Sequence, residues 1–414
     1  MDELYRSLAS RLQAGGIVSD PWIDGRPRFR ARPVVLDAAQ HRALTSAAEE
    51  LSAAYHHLAL LCAAEPDTIA PFFQLTPFQR LMWETSAPDW HGIARADVFL
   101  TADGPKVCEL NCDTPSGEAE AVLLNAAAAA EFPALSDPTR ELGDRFCDLV
   151  EAVAARLHDG PPTIGIIYPT ELVEDLSMIR LYERWFRARG WPVVLGSPFN
   201  LRRDGDRHAA LFDRRCDVFV RHYKTDWWGE RLPVWDDEPE FADAQPLAVE
   251  LATLLGATAQ GGCTVVNPFG SVLTQNKRAM AFLWEEIERF PPQAREAIRR
   301  YLPYTARLES VSRAELARKD EWVLKSDYGC EGAEVVVGAH VSVEEWDAAL
   351  AHAIAPRWVA QRYFHALADE DGAVVNYGVY VIGGVAAGYL SRVQKGPTDC
   401  YALTAPTLVA NEET

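Results

Sequence analysis

The stretch IARADVFLTADGPKVCELN, residues 93–111, decides how this chain folds. Two runs in which apolar and polar residues alternate flank an Asp103-Gly104 pair, the strongest short-range signal for a β-hairpin. A turn centred on that pair places Asp97 and Glu109 nearly opposite each other, to within one residue of register. The sequence therefore predicts an antiparallel hairpin that brings two carboxylates face to face.

The polar residues of this hairpin call for a cation. Side chains alternate along a strand, so Arg95 shares a face with Asp97, and Asn111 shares a face with Glu109. Facing carboxylates repel each other unless a positive charge lies between them. Arg95 can supply that charge, or a divalent metal can, because magnesium prefers carboxylate and amide oxygens. The alternative is a solvated strand face with an ordinary Arg–Asp ion pair.

Length and composition restrict the class of protein. The 414 residues suit two or three domains, and 48% hydrophobic with 24% charged residues is typical of a globular chain. A net charge of −20 argues against non-specific binding to nucleic acid or to an anionic membrane. Neither a membrane-spanning run nor the apolar segment of a secretory signal is evident, and the eight cysteines lack zinc-site spacing. We therefore expect a cytoplasmic protein with reduced thiols.

The pattern changes twice along the chain and predicts a multidomain protein of α/β and α+β class. Residues 1–160 are mostly helical before the hairpin. Residues 161–265 contain a strand, an amphipathic helix and a strand, which is typical of a βαβ unit with a parallel sheet. Residues 266–414 carry two helices opened by S-x-x-E capping boxes and strands that we expect to form one antiparallel sheet over 321–393, facing the hairpin.

Positive charge gathers in this last region. Lys277 is expected in the first turn of a helix that Thr274 caps, and Lys325 lies inside the apolar strand WVLKS, where an ammonium needs a partner. Arg392 lies near the end of the last hairpin. The small-residue loop 329–333 between two strands can lie over phosphates. Each lysine alone is more typical of a surface residue, but together they provide the charge that a triphosphate requires.

Here the residues resemble a known family. R-x-D at 95–97 and E-x-N at 109–111, followed by DTPSGEAEA, resemble the metal-binding signature of glutathionylspermidine synthase-like proteins, in the ATP-grasp superfamily of carboxylate–amine ligases. Later segments resemble the same family in order over roughly residues 70–400: NPFGSVLTQNKRAMAFLWE, WVLKSDYGCEGAEVVVG, WVAQRYF and AAGYLSRV. The carboxylates precede the lysines, as in the circularly permuted branch. The resemblance implies a circularly permuted ATP-grasp fold in three parts: a helical N-terminal region with the metal hairpin (1–160), a pre-ATP-grasp βαβ domain (161–265) and a lysine-bearing ATP-binding lobe (266–414).

The resemblance also implies ATP and Mg²⁺ as cofactors and assigns roles to residues. The metal ligands would be Asp97, Glu109 and Asn111. The catalytic residues, which stabilise the transferred phosphoryl group and the γ-phosphate, would be Arg95 and Arg392. The nucleotide would be bound by Lys277, Lys325, Gly329, Gly332, Ala333, Gln361, Arg362, Tyr363 and Phe364. The substrates would be contacted by Thr114, Ser116, Glu120, Asp226 and Trp227.

The leading hypothesis is an ATP-dependent ligase that forms an amide through an acyl phosphate, from a small-molecule or peptide carboxylate and an amine. Such chemistry needs a clamp for phosphoryl charge rather than a nucleophilic side chain, and no Ser–His–Asp or Cys–His arrangement is evident. The alternatives are a nucleotide-binding partner protein without turnover and a small-molecule kinase of ATP-grasp type. A glycosidase with paired Asp97 and Glu109 would leave the lysines and Arg392 unexplained. Ser326 follows Lys325 where the family usually has proline, so neither glutathione nor a polyamine is assumed.

Overall fold

A computed structural model describes residues 3–170, 172–230, 247–329, 334–396 and 401–411 of the chain. Within these ranges the α-helices are α1 (Glu3–Ala14), α2 (Ala38–Ala64), α3 (Pro66–Phe73), α4 (Pro77–Ser86), α5 (Glu118–Glu131), α6 (Leu142–Ala154), α7 (Leu176–Ala188), α8 (Trp227–Glu230), α9 (Ala248–Ala259), α10 (Ser271–Thr274), α11 (Arg278–Glu285), α12 (Pro292–Tyr301), α13 (Arg313–Leu316) and α14 (Val343–His352). None of these helices is both long enough and apolar enough to cross a lipid bilayer.

The strands in the same ranges are β1 (Trp22–Ile23), β2 (Arg26–Pro27), β3 (Val34–Leu36), β4 (Ile93–Thr101), β5 (Gly104–Asn111), β6 (Leu135–Ser136), β7 (Ile164–Ile167), β8 (Val193–Gly196), β9 (Leu201–Asp204), β10 (His208–Leu211), β11 (Arg214–Arg215), β12 (Val218–Arg221), β13 (Thr264–Val266), β14 (Thr305–Arg307), β15 (Trp322–Ser326), β16 (Val335–Val337), β17 (Trp358–Arg362), β18 (Val374–Ile382), β19 (Val385–Gln394), β20 (Leu403–Ala405) and β21 (Thr407–Ala410). Both Gly332 and Ala333 lie outside the described residues.

The predicted hairpin is confirmed, with a different turn. β4 ends at Thr101 and β5 begins at Gly104, so the loop lies one residue earlier than expected. A β-bulge then inserts Cys108 as an extra residue on β5, between the pairs Val98–Val107 and Asp97–Glu109. The earlier turn moves the register by two residues and the bulge moves it back by one, so Asp97 pairs with Glu109, within the one residue of register that was predicted.

The hairpin belongs to a five-stranded antiparallel sheet in the order β20-β19-β18-β4-β5. A second antiparallel sheet has the order β14-β17-β15-β16. The prediction of one sheet over 321–393 is therefore wrong, because β18 and β19 leave that region to pair with the hairpin. β18 and β4 each have nine residues, whereas β15 has five, so the long strands satisfy more backbone groups by pairing with each other.

The βαβ prediction is confirmed by a parallel sheet in the order β13-β12-β7-β8, with α7 connecting β7 to β8. The two S-x-x-E capping boxes are confirmed at α13 and α14. The helix capped by Thr274 is not formed. Thr274 ends α10, and the next helix has Lys277 as its N-cap residue and stops at Glu285.

The long helix α2 covers one face of the five-stranded sheet. It begins at a complete capping box formed by Asp37 and Gln40. Its apolar positions pack with Ala94, Ala96 and Val98 of β4 in one buried cluster. Because side chains alternate along a strand, β4 must present Arg95 and Asp97 on the opposite face. Packing of α2 therefore decides which face of the hairpin carries the charged residues.

The side chain of Asn267, directly after β13, joins the parallel sheet to the hairpin. Its Oδ1 accepts hydrogen bonds from the backbone amides of Gly92 (2.7 Å) and Ile93 (2.9 Å) at the start of β4. Its Nδ2 donates to the carbonyls of Ile93 (2.8 Å), Cys112 (3.0 Å) and Asp113 (2.8 Å). Asn267 is only 3% exposed, so these backbone groups have no access to water as a substitute partner.

We expect Asn267→Ala to lower the free energy of unfolding by about 2–4 kcal/mol, because it leaves several buried amides and carbonyls without partners. Urea denaturation measures this change. The matched control is Asn411→Ala, which removes two exposed hydrogen bonds, from Asn411 Nδ2 to the Ala134 carbonyl and from the Ser136 hydroxyl to Asn411 Oδ1, and should cost less than about 1 kcal/mol. Equal losses in the two variants would contradict the role assigned to Asn267.

Candidate functional site

The carboxylate of Asp97 lies at the centre of a polar cluster on the hairpin. It is 1% exposed and accepts hydrogen bonds from Arg95 Nε (2.9 Å), Arg392 Nη2 (2.9 Å) and Asn376 Nδ2 (3.4 Å). Burial opposes its ionisation, but the two guanidinium groups outweigh burial and lower the pKa of Asp97 to about 2. Such an acid holds no proton to donate near neutral pH, so Asp97 does not suit the general-acid role of a glycosidase pair.

Glu109 faces Asp97 from the neighbouring strand. Its Oε1 lies 3.4 Å from Asn111 Nδ2, and its Oε2 lies 3.8 Å from Lys277 Nζ. Each of the two facing carboxylates is thus accompanied by a cation from the chain. The sequence correctly predicted the pair and the charge of Arg95, but not that Lys277 from a distant segment would approach Glu109.

Both predicted lysines reach the hairpin and are buried, with 4% exposure for Lys277 and 5% for Lys325. Lys325 Nζ donates a hydrogen bond at 2.9 Å to the carbonyl of Cys108, the residue that the bulge adds to β5. Lys277 Nζ donates to the carbonyl of Gly329 at 2.6 Å. Burial rules out the surface-residue alternative for both side chains, because a snorkelling lysine keeps its ammonium in water.

Arg95 is held firmly in place on the face opposite α2. Besides Asp97, it donates through Nη1 to the carbonyl of Ser116 at 2.7 Å. Gly378 pairs with Asp97 on β18, and a Cβ at that position would lie 2.7 Å from Arg95 Cδ. A glycine is therefore needed here, because the arginine side chain crosses directly over its Cα.

Two residues that the sequence reasoning missed complete the polar cluster. Asn376 is 3% exposed, and its Oδ1 has no hydrogen-bond partner among the described residues. The Oε1 of Gln275 accepts from the amides of Cys112 (2.8 Å) and Asp113 (3.1 Å), and its Nε2 approaches Asn111 Oδ1 at 3.5 Å. Asn376 is a polar residue within the apolar run VVNYGVYVI, a signal that could have identified it.

A buried ion pair brings residues 223–230, the segment YKTDWWGE, to the hairpin. Arg221, fully buried at the end of β12, pairs with Asp113, which also accepts hydrogen bonds from the amide (2.8 Å) and the hydroxyl (3.1 Å) of Thr225. Burial opposes ionisation of Asp113, but Arg221 outweighs it and lowers the pKa of that carboxyl. The hydroxyl of Ser271 donates to the same carboxylate at 2.7 Å.

The predicted substrate residues fall into two groups. Thr114 is half-buried and Ser116 is exposed in the loop after β5, and the Ser116 carbonyl accepts a hydrogen bond from Arg95. The segment tied down by Thr225 carries Asp226 and Trp227. Glu120 does not join them, because its carboxylate turns towards the N-terminal region and pairs with Arg28 at 2.8 Å.

Within that segment, Asp226 Oδ2 lies 3.3 Å from Lys224 Nζ, and the same ammonium lies 5.3 Å from the centre of the Trp227 ring. Burial raises the pKa of Asp226, with Lys224 opposing this effect. The segment therefore presents a charged pair and an aromatic ring close to the hairpin.

The side chains of residues 361–364, which the resemblance assigns to the nucleotide, contact other residues of the protein, one of them on β4. Gln361 is 1% exposed and donates to Thr305 Oγ1 at 3.0 Å. The guanidinium of Arg362 lies 4.0 Å from the centre of the Trp322 ring. The Tyr363 hydroxyl lies 3.2 Å from His340 Nε2, and the centre of the Phe364 ring lies 5.6 Å from that of Phe99. The amide of Gln361 is therefore a core group and is not directed towards a ligand.

Glu118, the first residue of α5, carries a fully buried carboxyl that interacts with the charges of His222 and Arg95. Burial raises its pKa to about 7, with His222, Arg95 and the hydroxyl of Tyr182 opposing the effect. The folded chain therefore keeps a proton on Glu118 between pH 4.5 and 7, where the unfolded chain has released it. Stability from this group falls as the pH rises through that window.

We expect Glu118→Gln, which mimics the protonated acid, to leave stability near pH 5 almost unchanged. At pH 8 the variant should exceed the natural chain by up to about 3 kcal/mol, because no buried carboxyl has to ionise. Urea denaturation at the two pH values measures the difference. The control is Glu131→Gln, an exposed position on the same helix, which should show no such pH dependence.

Comparison with known proteins gives the family. The family model described as glutathionylspermidine synthase preATP-grasp matches residues 22–409. No curated protein matches the chain significantly. Among solved structures, the chain is similar to a glutathione synthetase-like effector from Globodera pallida in its apo form, with a TM-score of 0.64 and 10% identity, covering 98% of this chain and 96% of that one. A candidate gamma-glutamylcysteine synthetase from Methylobacillus flagellatus gives a TM-score of 0.47 and 14% identity, covering 90% and 87%.

The first structural match shows a shared fold over nearly the whole length of both chains. The family match spans the N-terminal helices, the hairpin, the parallel sheet and the lysine-bearing strands in one continuous alignment. The sequence resemblance at R-x-D and E-x-N is thereby confirmed at the level of the family. The chain belongs to the glutathionylspermidine synthase preATP-grasp family.

Proposed function

We propose that this protein is an ATP-dependent carboxylate–amine ligase of the circularly permuted ATP-grasp type, which forms an amide through an acyl phosphate and releases ADP and phosphate. One observation carries the proposal. The hairpin sets Asp97 opposite Glu109, and four cationic side chains lie around that pair: Arg95 from the hairpin itself, and Lys277, Lys325 and Arg392 from three other segments. Family membership supplies the reaction class.

The donor set of the hairpin fits magnesium. Two carboxylates and the amide oxygen of Asn111 are hard oxygen ligands, and Asn376 adds a buried oxygen that lacks a partner among the described residues. Among the described residues no group of three or more His, Cys, Asp or Glu side chains could hold a metal ion, so the proposed site needs the amide oxygens in addition to its two carboxylates. Magnesium at Asp97, Glu109 and Asn111 would neutralise phosphate charge when bound with the nucleotide.

The chain's own cations would do the rest of the phosphate binding. Lys277 and Lys325 are buried in the cleft, where an ammonium interacts more strongly with phosphate than in water. Arg95 is fixed at two points, on Asp97 and on the Ser116 carbonyl, so its guanidinium is preorganised to stabilise the transferred phosphoryl group. Arg392 would neutralise the γ-phosphate. Among the nucleotide residues, Gly329 lies beside Lys277, where it can begin the predicted lid.

The order of residues along the chain supports the permuted arrangement, whereas in the proposed layout of 1–160, 161–265 and 266–414 strands of the third part share a sheet with the hairpin of the first part. The carboxylates of the hairpin precede both lysines in sequence, although all of them meet in one cleft. The substrates we propose are a small-molecule or peptide carboxylate and an amine in the cytoplasm, met by Thr114, Ser116, Asp226 and Trp227. The buried pair of Asp113 and Arg221 holds these two substrate segments together.

Replacing Glu109 by Gln tests the metal role. We expect turnover to fall by orders of magnitude, because a hard anionic ligand is lost with almost no change of shape. The folded protein without metal should keep its stability to within about 1 kcal/mol, since one side of a carboxylate repulsion is removed together with the 3.8 Å contact to Lys277.

The measurements are ADP release with a panel of carboxylates and amines, and a melting curve without metal. ADP release that requires both substrates distinguishes a ligase from a kinase or a binding protein. The exposed variant Glu131→Gln is the matched control and should retain full turnover. Full turnover in Glu109→Gln would show that the hairpin is a structural ion-pair site and would refute the proposed function.

Replacing Lys325 by Met tests the nucleotide role separately. The apolar strand accommodates methionine, and the folded state loses one hydrogen bond, to the Cys108 carbonyl. We expect Mg-ATP to bind at least about tenfold more weakly, because a phosphate loses a charge-assisted partner in a buried site. Titration calorimetry with Mg-ATP measures the affinity. The control is Lys106→Met on β5, where the natural lysine donates a hydrogen bond to the Arg300 carbonyl. This variant should bind ATP normally.

A further inference from the structure

The carboxylates that would hold metal are already neutralised by the chain itself. Arg392 Nη2 lies 2.9 Å from Asp97 Oδ2, and Arg95 Nε lies 2.9 Å from the other oxygen of the same carboxylate. Lys277 Nζ lies 3.8 Å from Glu109 Oε2. With Lys325 next to the bulge at Cys108, four cationic groups surround two carboxylates. The cleft without nucleotide therefore carries an excess of positive charge.

We propose that Arg392 and Lys277 are internal counter-cations that prevent a divalent cation from binding to this carboxylate pair by itself. The metal then binds only together with a nucleotide. The inference rests on the proposed function and deepens it by assigning the order in which ligands are accepted. It concerns the nucleotide-free protein, in which these contacts are present.

Electrostatics gives the reason. A divalent cation that approaches Asp97 or Glu109 meets neighbouring guanidinium and ammonium groups in a desolvated cleft, where like charges repel more strongly than in water. A triphosphate reverses the balance, because its negative charges attract the same side chains away from the carboxylates. The Oδ1 of Asn376, buried beside Asp97 and without a hydrogen-bond partner among the described residues, is a further oxygen that a cation bound there could contact.

Of the two arginines, Arg392 is the one that can move. Arg95 is 10% exposed in its side chain and is held by both Asp97 and the Ser116 carbonyl. The side chain of Arg392 is 26% exposed, and among the described residues its hydrogen bond is to Asp97. A long side chain on a fixed strand can change partner at little cost when it is tied at one point. Arg392 therefore serves as the removable counter-cation of Asp97.

Manganese binding without nucleotide tests the proposal directly, because Mn²⁺ takes the same oxygen ligands as magnesium and its free form is counted by electron paramagnetic resonance. We expect the natural protein to bind Mn²⁺ at least about tenfold more tightly with ATP than without it. Without nucleotide, Arg392→Gln should bind Mn²⁺ at least about tenfold more tightly than the natural protein, since one nearby charge alters a carboxylate's affinity for a cation by that factor or more.

Three further variants make the test specific. Arg392→Lys keeps the charge and should bind Mn²⁺ as weakly as the natural protein. Combining Arg392→Gln with Asp97→Asn should abolish the gain, which assigns it to this carboxylate. Lys277→Gln, which removes the second counter-cation, should also raise affinity and provides an independent test if Arg392→Gln fails to fold in a melting experiment.

Tight Mn²⁺ binding by the natural protein in the absence of ATP would overturn the proposal, and so would an unchanged affinity in folded Arg392→Gln and Lys277→Gln. Weak Mn²⁺ binding by the natural protein both with and without ATP, together with a gain in those variants, would support the counter-cations and refute the nucleotide function instead. The two proposals can therefore fail separately.

Discussion

The repulsion between Asp97 and Glu109, fixed opposite each other on adjacent strands, is the constraint on which the rest of the cleft depends. A buried carboxylate such as Asp97, facing the half-buried carboxylate of Glu109, needs positive charge nearby to remain ionised. The chain meets this requirement from the hairpin itself, with Arg95, and from two distant segments, with Lys277 and Arg392. The negative charge of the hairpin therefore favours the positions that the lysine-bearing segment and the last hairpin take beside it.

Two amide side chains and one buried ion pair fix the hairpin relative to its surroundings. The side chain of Asn267 binds backbone groups at both ends of the hairpin, and Gln275 links the segment before Lys277 to the amides that follow Asn111. The buried Asp113–Arg221 pair ties the parallel sheet to the same place. Because all of these groups are shielded from water, a small displacement would leave several partners unsatisfied, which favours one well-defined geometry.

Local patterns in the sequence predicted a large part of the fold. The hairpin, the βαβ unit and the two capping boxes each depend on residues within about 30 positions of one another, and all three are confirmed. The sheet order was not predictable in this way. Alternation marks β18 as a strand but carries no information about whether it pairs with β17 or with β4. The helix expected after Thr274 failed for a similar reason, since α10 ends there and the chain bends before Lys277.

The sequence by itself determined the family, the hairpin and the identity of the charged residues, because these depend on short motifs and on residue type. Only the tertiary structure decided which cation accompanies which carboxylate. Arg392 is 295 positions from Asp97 in sequence, and Lys277 reaches Glu109 from a different segment. The bulge at Cys108, which orients a carbonyl towards Lys325, and the unpartnered oxygen of Asn376 also emerge only from the assembled sheets. Contacts of this kind arise from packing between distant elements, and no local pattern encodes the distance between two atoms that meet only after the chain has folded.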